Sequence, residues 1–245
     1  MKKWKSRMFL GVIAITMVLG LALSSPSPTY AVQYTLAELL GDPYNPGQSG
    51  VNVTIGDKIF GNWRGFSSFV SGGANKVDPS GLLVTFTEVN PNFYTLRYQG
   101  GVFVAGPRQT QDTFFSYDVT TVGGAALIHD DTLRLIAAAT VGTGTLFIAE
   151  QIFDLGGLTV GDKLVYLGGG ISITYDEATW DPPRSFIYVT KDIGLVGGTD
   201  GAAAMSDFEQ GYSQSGKIPE PISLILLGSG LAGAGLYRRL RKPRG

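Results

Sequence analysis

The fold of this chain is limited most by a succession of short runs rich in Val, Ile, Thr, Phe and Tyr. They fall at 82–89, 93–99, 113–121, 132–139, 145–153, 163–167, 171–175 and 185–190, with Gly or Asp/Asn/Pro clusters between most of them. β-Branched and aromatic side chains suit a pleated, half-buried surface, and each run is too short for an ordinary helix. Their spacing is that of a single all-β domain, a sandwich or barrel, and the sandwich is the expectation. Within 113–121, Phe115, Tyr117 and Val119 alternate with Ser116 and Asp118, which predicts one buried and one wet face. The only helical pattern in the body is at 34–40. The 35 glycines follow no fixed period, so they punctuate turns and do not build a collagen-like chain. Two similar strings, Val53-Thr54-Ile55-Gly56-Asp57-Lys58-Ile59 and Leu158-Thr159-Val160-Gly161-Asp162-Lys163-Leu164, would fit a duplicated half-sandwich. Common strand, Gly-Asp turn and strand chemistry explains them more simply.

Both ends differ from this body. Lys2, Lys3, Lys5 and Arg7 precede an apolar stretch at 8–23 and a Ser/Pro-rich stretch ending in Thr29-Tyr30-Ala31. That order predicts a secretory signal peptide over 1–31, cut after Ala31, with an uncleaved anchor as the alternative. Near the other end, Pro219-Glu220-Pro221 is followed by uncharged residues 222–237 and then by Arg238, Arg239, Arg241, Lys242 and Arg244. As a helix, 222–237 would be about 24 Å long at about 1.5 Å per residue. That is short for a hydrocarbon core of about 30 Å, but the basic residues can snorkel to the headgroups, and they bias that end toward the cytoplasm. The two prolines keep Glu220 in an extended segment at the outer face. Gly228-Ser229-Gly230-Leu231-Ala232-Gly233 spells a dinucleotide fingerprint, but too little chain follows for the βαβ unit that motif needs. These are small residues of a membrane helix.

This three-part tail resembles that of PEP-CTERM proteins, the substrates of membrane-embedded exosortases of Gram-negative bacteria. The resemblance implies that an exosortase recognises Pro219, Glu220 and Pro221, cleaves near them, and passes the upstream part to the cell surface or the exopolysaccharide matrix. Ile218, where many members carry Val, and Pro243 in the basic end depart from the pattern without touching the motif. The stretches at 56–60, 111–121 and 132–150 look like the ectodomain of a group of PEP-CTERM proteins of unassigned activity, which supports an exported β-sandwich and adds no catalytic residue.

Charge narrows the partners. Of the 19 cations, four lie in the first seven residues and five in 238–244. Residues 32–218 therefore hold ten cations against 19 of the 20 carboxylates, a net charge near −9 that the whole-chain value of −1 conceals. An acidic body lacks the basic footprint of a nucleic-acid binder. No cysteine is present, which removes disulfides, thiolate metal sites and cysteine nucleophiles together. The exported part must be held by packing, and one core of this size needs no second domain.

Catalytic candidates are sparse. His129 beside Asp130 and Asp131 could be an oriented base, but no Gly-x-Ser-x-Gly elbow accompanies it, so a turn histidine before the strand at 132–139 is the expectation. Asp176, Glu177 and Asp181 near Trp180 could supply a glycosidase pair; a solvated acidic loop is the simpler account. No Asp-x-Asp-x-Asp-Gly calcium loop occurs, and no metal ligand or cofactor is assigned. Trp63 and Trp180 both sit among loop-forming neighbours, where exposed rings could stack on sugars, or else cap the ends of a sandwich core.

The expected organisation is a signal peptide at 1–31, a β-sandwich ectodomain at 32–193, a flexible stalk of Gly, Ala, Ser and Gln at 194–217, with a final irregular strand anchored on the domain by Phe208 and Tyr212 as the alternative, and a sorting tail at 218–245. The expected partners are the export translocon, signal peptidase, the membrane and an exosortase, with exopolysaccharide as a further candidate. The expected location is the inner membrane before processing, then the surface or matrix. A structural or adhesive role without enzymatic activity leads. A carbohydrate-binding module is the alternative, and a secreted hydrolase ranks last.

Overall fold

The computed structural model describes residues 30–41, 50–123 and 126–215, and among these the strand-rich pattern becomes thirteen strands in two antiparallel sheets. In chain order they are β1 (Tyr30–Thr35), β2 (Val53–Ile55), β3 (Lys58–Ser71), β4 (Leu82–Asn90), β5 (Phe93–Ala105), β6 (Thr110–Thr121), β7 (Ile128–Val141), β8 (Thr145–Phe153), β9 (Thr159–Gly168), β10 (Ile171–Ile173), β11 (Tyr175–Arg184), β12 (Phe186–Val196) and β13 (Ala202–Gln214). The first sheet runs β1-β4-β5-β13-β7-β11 and the second β10-β9-β8-β12-β6-β3-β2. The chain is an all-β sandwich, as its segment pattern predicts.

Period-two alternation builds the core. Phe115, Tyr117 and Val119 of β6 are fully buried, as are Leu146, Ile148 and Ile152 of β8 and Ile187, Val189 and Ile193 of β12. From the facing sheet, Val84, Phe86, Leu96, Tyr98, Leu133 and Phe208 fill the other side. The helical pattern near 34–40 becomes one short helix, α1 (Leu36–Leu40), which closes an end of the sandwich with Leu36 and Leu39 buried. Its start is fixed by a capping box: Thr35 Oγ1 accepts from Glu38 N–H at 3.2 Å, and Glu38 Oε2 accepts from Thr35 N–H at 2.7 Å.

Two expectations need correction. Of the stalk expected at 194–217, the described residues 194–215 belong to the sandwich instead. Residues 194–196 complete β12, and β13 lies in the middle of the first sheet, paired along its length with β5 on one side and β7 on the other. Phe208 and Tyr212 are buried, and Gln214 Nε2 donates to Asp57 Oδ1 at 3.0 Å, pinning the end of the strand. A central strand of small residues is stable here because its neighbours approach closely: a Cβ on Gly211 would sit 2.7 Å from the Phe93 ring. The domain therefore extends well past 193.

Trp63 and Trp180 are not on exposed loops. Trp63 lies in β3 and is 4% exposed, stacked on Tyr117 with ring centroids 4.3 Å apart. Trp180 lies in β11, 6% exposed, its Nε1–H donating to the Ile128 carbonyl at 2.9 Å. β3 carries register shifts between Gly61 and Arg64 and between Arg64 and Ser67, with Asn62 and Gly65 at φ of 53° and 70°. Such bulges insert a residue and re-aim the side chains, so Phe60 and Trp63, three apart, both point inward.

The two similar strings are not equivalent. The first is β2, a turn with Gly56 at φ 55°, and the start of β3; the second runs into the single strand β9, where Gly161 packs against Ala178. The signal segment through Thr29, the helix expected at 222–237 and the basic end lie outside the described residues. Ala31 falls within edge strand β1, opposite Thr87.

Candidate functional site

The singled-out catalytic residues are scattered by the fold. His129 is the second residue of β7 and is no turn residue. Beside it, Asp130 is taken up by Ser213, accepting from the Ser213 N–H at 3.0 Å and from its hydroxyl. Asp131 points the other way, into the core, fully buried. In β11, Asp176 accepts from Leu164 N–H of β9 at 2.8 Å, while Glu177 and Asp181 lie on the opposite, exposed face. The three carboxylates therefore do not converge on one substrate position. Among the described residues no group of three His, Cys, Asp or Glu side chains is arranged to hold a metal ion.

Two other places concentrate polar chemistry. The first is a surface cleft of about 480 Å³ lined by Asn52, Asn62, Trp63, Asp118 and Thr120, among others. Here Asn62 Nδ2 donates to Asp118 Oδ2 at 2.7 Å and Arg64 donates to Asp118 Oδ1 at 3.0 Å. The Arg64 guanidinium also lies 4.5 Å from the centre of the Tyr188 ring. A Cβ on Gly61 would meet Asn52 Oδ1 at 2.3 Å, so a side chain there would displace the Asn52 amide. Asn62 itself holds a left-handed conformation, which Asn tolerates better than most residues and which is enriched at functional positions.

The second place is a charged cluster between the sheets. Lys163 of β9, Glu150 of β8 and Lys191 of β12 stand in one row across the second sheet, paired Lys163 to Glu150 and Glu150 to Lys191. Asp131 reaches them from β7 in the facing sheet. The Lys163 Nζ lies 2.5 Å from Asp131 Oδ1 and 2.6 Å from Glu150 Oε1, and Lys191 Nζ donates to Glu150 Oε2. All four side chains are at most 3% exposed. Gln210 Nε2 donates to Asp131 Oδ2 at 2.7 Å and to Glu150 Oε1 at 2.8 Å. Tyr117 donates its hydroxyl proton to Gln210 Oε1, which fixes the orientation of that amide, and the Tyr117 and Tyr212 hydroxyls are 2.6 Å apart. Lys191 Nζ sits 5.4 Å from the Tyr98 ring centre and 5.6 Å from that of Phe208.

Burial sets the proton affinities of this cluster. It pushes the Asp131 carboxyl well above the usual range, and the Glu150 carboxylate beside it adds to the effect. Burial acts on Glu150 in the same direction, yet the Lys163 and Lys191 ammoniums outweigh it and hold Glu150 at about 2. Lys191 is lowered, chiefly by burial, whereas Lys163 is raised because the Asp131 and Glu150 carboxylates overcome the same burial. Two carboxyls of like type are thus driven apart, one toward the neutral acid and one toward the anion.

Of these residues the sequence singles out only Asp131, and as a neighbour of His129 rather than as a core charge, although a signal for all four exists. Each interrupts an apolar face: Glu150 falls between Ile148 and Ile152, Lys191 between Val189 and Ile193, and Lys163 and Asp131 stand two residues before Val165 and Leu133. A charge in phase with the buried side of a strand is the mark to look for.

Residues 217–242 match the PEP-CTERM protein-sorting motif, and that segment contains Pro219, Glu220 and Pro221. No curated protein matches the chain. Among solved structures, the TmCBM61 structure in complex with β-1,4-galactotriose is 15% identical, covering 61% of this chain and 87% of that one with a TM-score of 0.28. A DUF4465 family protein from Bacteroides caccae is 9% identical, covering 61% and 93% with a TM-score of 0.26. Likenesses this low carry no inference about activity. Among the described residues no helix is long and apolar enough to cross a membrane. The sorting motif is that of an exported protein, anchored at the membrane before an exosortase processes it.

Proposed function

We propose that this protein is a non-catalytic, structural or adhesive component of the cell surface or exopolysaccharide matrix, released from its membrane tail by cleavage near Glu220. The sorting motif at 217–242 carries the reading: it begins three positions after Gln214, the last residue of β13, so the sandwich is delivered to the outer face on a very short connection. The N-terminal basic and apolar segment supports passage through the export translocon and removal by signal peptidase. The absence of enzymatic activity belongs to the same proposal. It is supported by the fate of the catalytic candidates: Asp130 is bonded to Ser213, Asp176 to the β9 backbone, and Asp131 to the core cluster.

Intact mass and cell fractionation of the native protein and of Glu220→Ala test this. Wild type is expected to lack the residues after the Pro-Glu-Pro motif and to leave the membrane, while the variant keeps its tail. Retention of the full tail by both proteins in a host with an active exosortase would overturn the sorting reading.

A second reading, carbohydrate binding, is favoured by the cleft at Asn62. Amide, carboxylate and hydroxyl groups line it, and its size suits a small ligand, for which pockets of about 300–1,000 Å³ are usual. Asn62→Gly preserves the backbone conformation and removes the amide. On affinity electrophoresis through neutral polysaccharide, this variant would migrate faster than a retarded wild type, at unchanged Tm. Equal mobility of both in all gels would exclude the cleft.

A further inference from the structure

The geometry points to a covalent bond: Lys163 Nζ and Asp131 Cγ are placed to condense into an intramolecular amide that staples the two sheets, with Glu150 relaying protons. Four observations converge on it. Lys163 Nζ and Asp131 Oδ1 are 2.5 Å apart, inside the roughly 2.7–2.9 Å usual for an ammonium–carboxylate hydrogen bond. Despite that distance, both atoms lack any partner with hydrogen-bond geometry. The amine and the carboxyl thus touch as an ion pair without hydrogen-bond alignment, close enough for attack. Glu150 Oε1, 2.6 Å from Nζ, is positioned to take a proton from the nitrogen. Gln210 Nε2–H donates to Oδ2, the oxygen that would be retained, where it can stabilise negative charge developing on that atom.

The step balances without any co-reactant. One ammonium proton passes from Lys163 to the Asp131 carboxylate, leaving a neutral amine and a neutral acid; in a fully buried site this exchange removes two unsolvated charges. The Nζ lone pair attacks Cγ. Glu150 takes a second proton from nitrogen and hands it to the Oδ1 hydroxyl, which departs as water. The Nζ–Cγ bond forms, the Cγ–Oδ1 bond breaks, nothing is oxidised or reduced, and Glu150 ends as the carboxylate it began. What remains is a neutral amide beside one ion pair, Glu150 with Lys191. The buried charge is halved, and both surviving ions keep partners. In a chain without cysteine, such a bond would supply the covalent link between sheets that a disulfide provides elsewhere.

Peptide mapping of the full chain, digested with trypsin under denaturing conditions, tests the proposal independently of whether the tail is processed. Cleavage after Lys163 is expected to fail, and residues 109–134 should be recovered joined to 135–184, one water lighter than the sum of the two peptides. Fragmentation should place the branch at Asp131 and Lys163. Recovery of 109–134, 135–163 and 164–184 only as separate linear peptides overturns the proposal, as does a branch that maps to Glu150 or Lys191. Asp131→Asn keeps the shape of the side chain and offers the same carbonyl carbon. It should give a branched peptide identical in mass to that of wild type, because ammonia leaves in place of water. Glu150→Gln preserves the packing volume but cannot relay a proton, so branching in the folded variant, checked by circular dichroism, should slow about a hundredfold. Branching as fast as wild type in that variant would remove Glu150 from the step.

Discussion

At the scale of single residues, polar groups in this sandwich behave according to what surrounds them. Asp192 on β12 is the clearest titrating case: partial burial, then the neighbouring Asp112 carboxyl through a hydrogen bond and its charge, raise it from 3.8 to about 6. The folded state therefore binds this proton more tightly than the unfolded chain does. The associated stabilisation is complete below about pH 4 and is lost as pH rises through about 6. Asp192→Asn removes the titration, so thermal melts across that range should show the variant gaining Tm over wild type near neutral pH, with the gain fading toward pH 4. At the tryptophans, burial decides the outcome. Trp63→Ala deletes a ring stacked on Tyr117 and should cost about 3 to 5 kcal/mol in urea unfolding. A Trp63→Ala protein as stable as wild type would contradict its place in the core. The sequence around Trp63 reads as a loop because Gly61, Asn62 and Gly65 flank it. Those residues instead make the bulges that turn the ring inward, and a bulge breaks the period-two pattern by which a strand is recognised.

At the scale of elements, legibility followed side-chain chemistry. β8 matches the expected run 145–153 at both ends, because the run is dense in Leu, Ile and Phe, and Leu146, Ile148 and Ile152 recur in phase on its buried face. β13 is only weakly legible, through Phe208 and Tyr212, for the opposite reason. Ala202, Ala203, Ala204 and Gly211 have little β propensity of their own, and the strand exists because β5 and β7 pair with it from both sides. A chain ending at residue 193, the boundary suggested by composition, should accordingly fail to give a dispersed NMR spectrum, whereas one ending at 215 should give it. The short helix α1 is legible to a degree: its Thr35-x-x-Glu38 box is a local signal, and Thr35→Ala should lower stability by about 1 kcal/mol in denaturant titration. The charged cluster is hard to read because Lys, Asp and Glu count as surface residues unless the phase of each strand is already known.

At the scale of the whole molecule, one hydrophobic core joins residues from Leu36 of α1 to Tyr212 of β13. Trp63 and Trp180 sit in different sheets, on β3 and β11, so they report on the two layers separately. Unfolding followed by fluorescence in Trp63→Phe and in Trp180→Phe should give each variant a midpoint that coincides with its own circular dichroism midpoint, as a single cooperative unit requires. Split transitions would mean that the two sheets unfold in succession. The sorting tail was legible without any fold, because a motif read by another protein is written in consecutive residues. The ectodomain's chemistry was not, because it is assembled from six strands.

The central place of β13 has a consequence in time. Until residues 202–214 emerge, β5 and β7 each expose an unpaired edge, and the first sheet exists only as separate halves. A chain that became available from its N-terminus could not close this sheet until its last described strand was free to pair, so the export route proposed above would carry an open chain almost to its end.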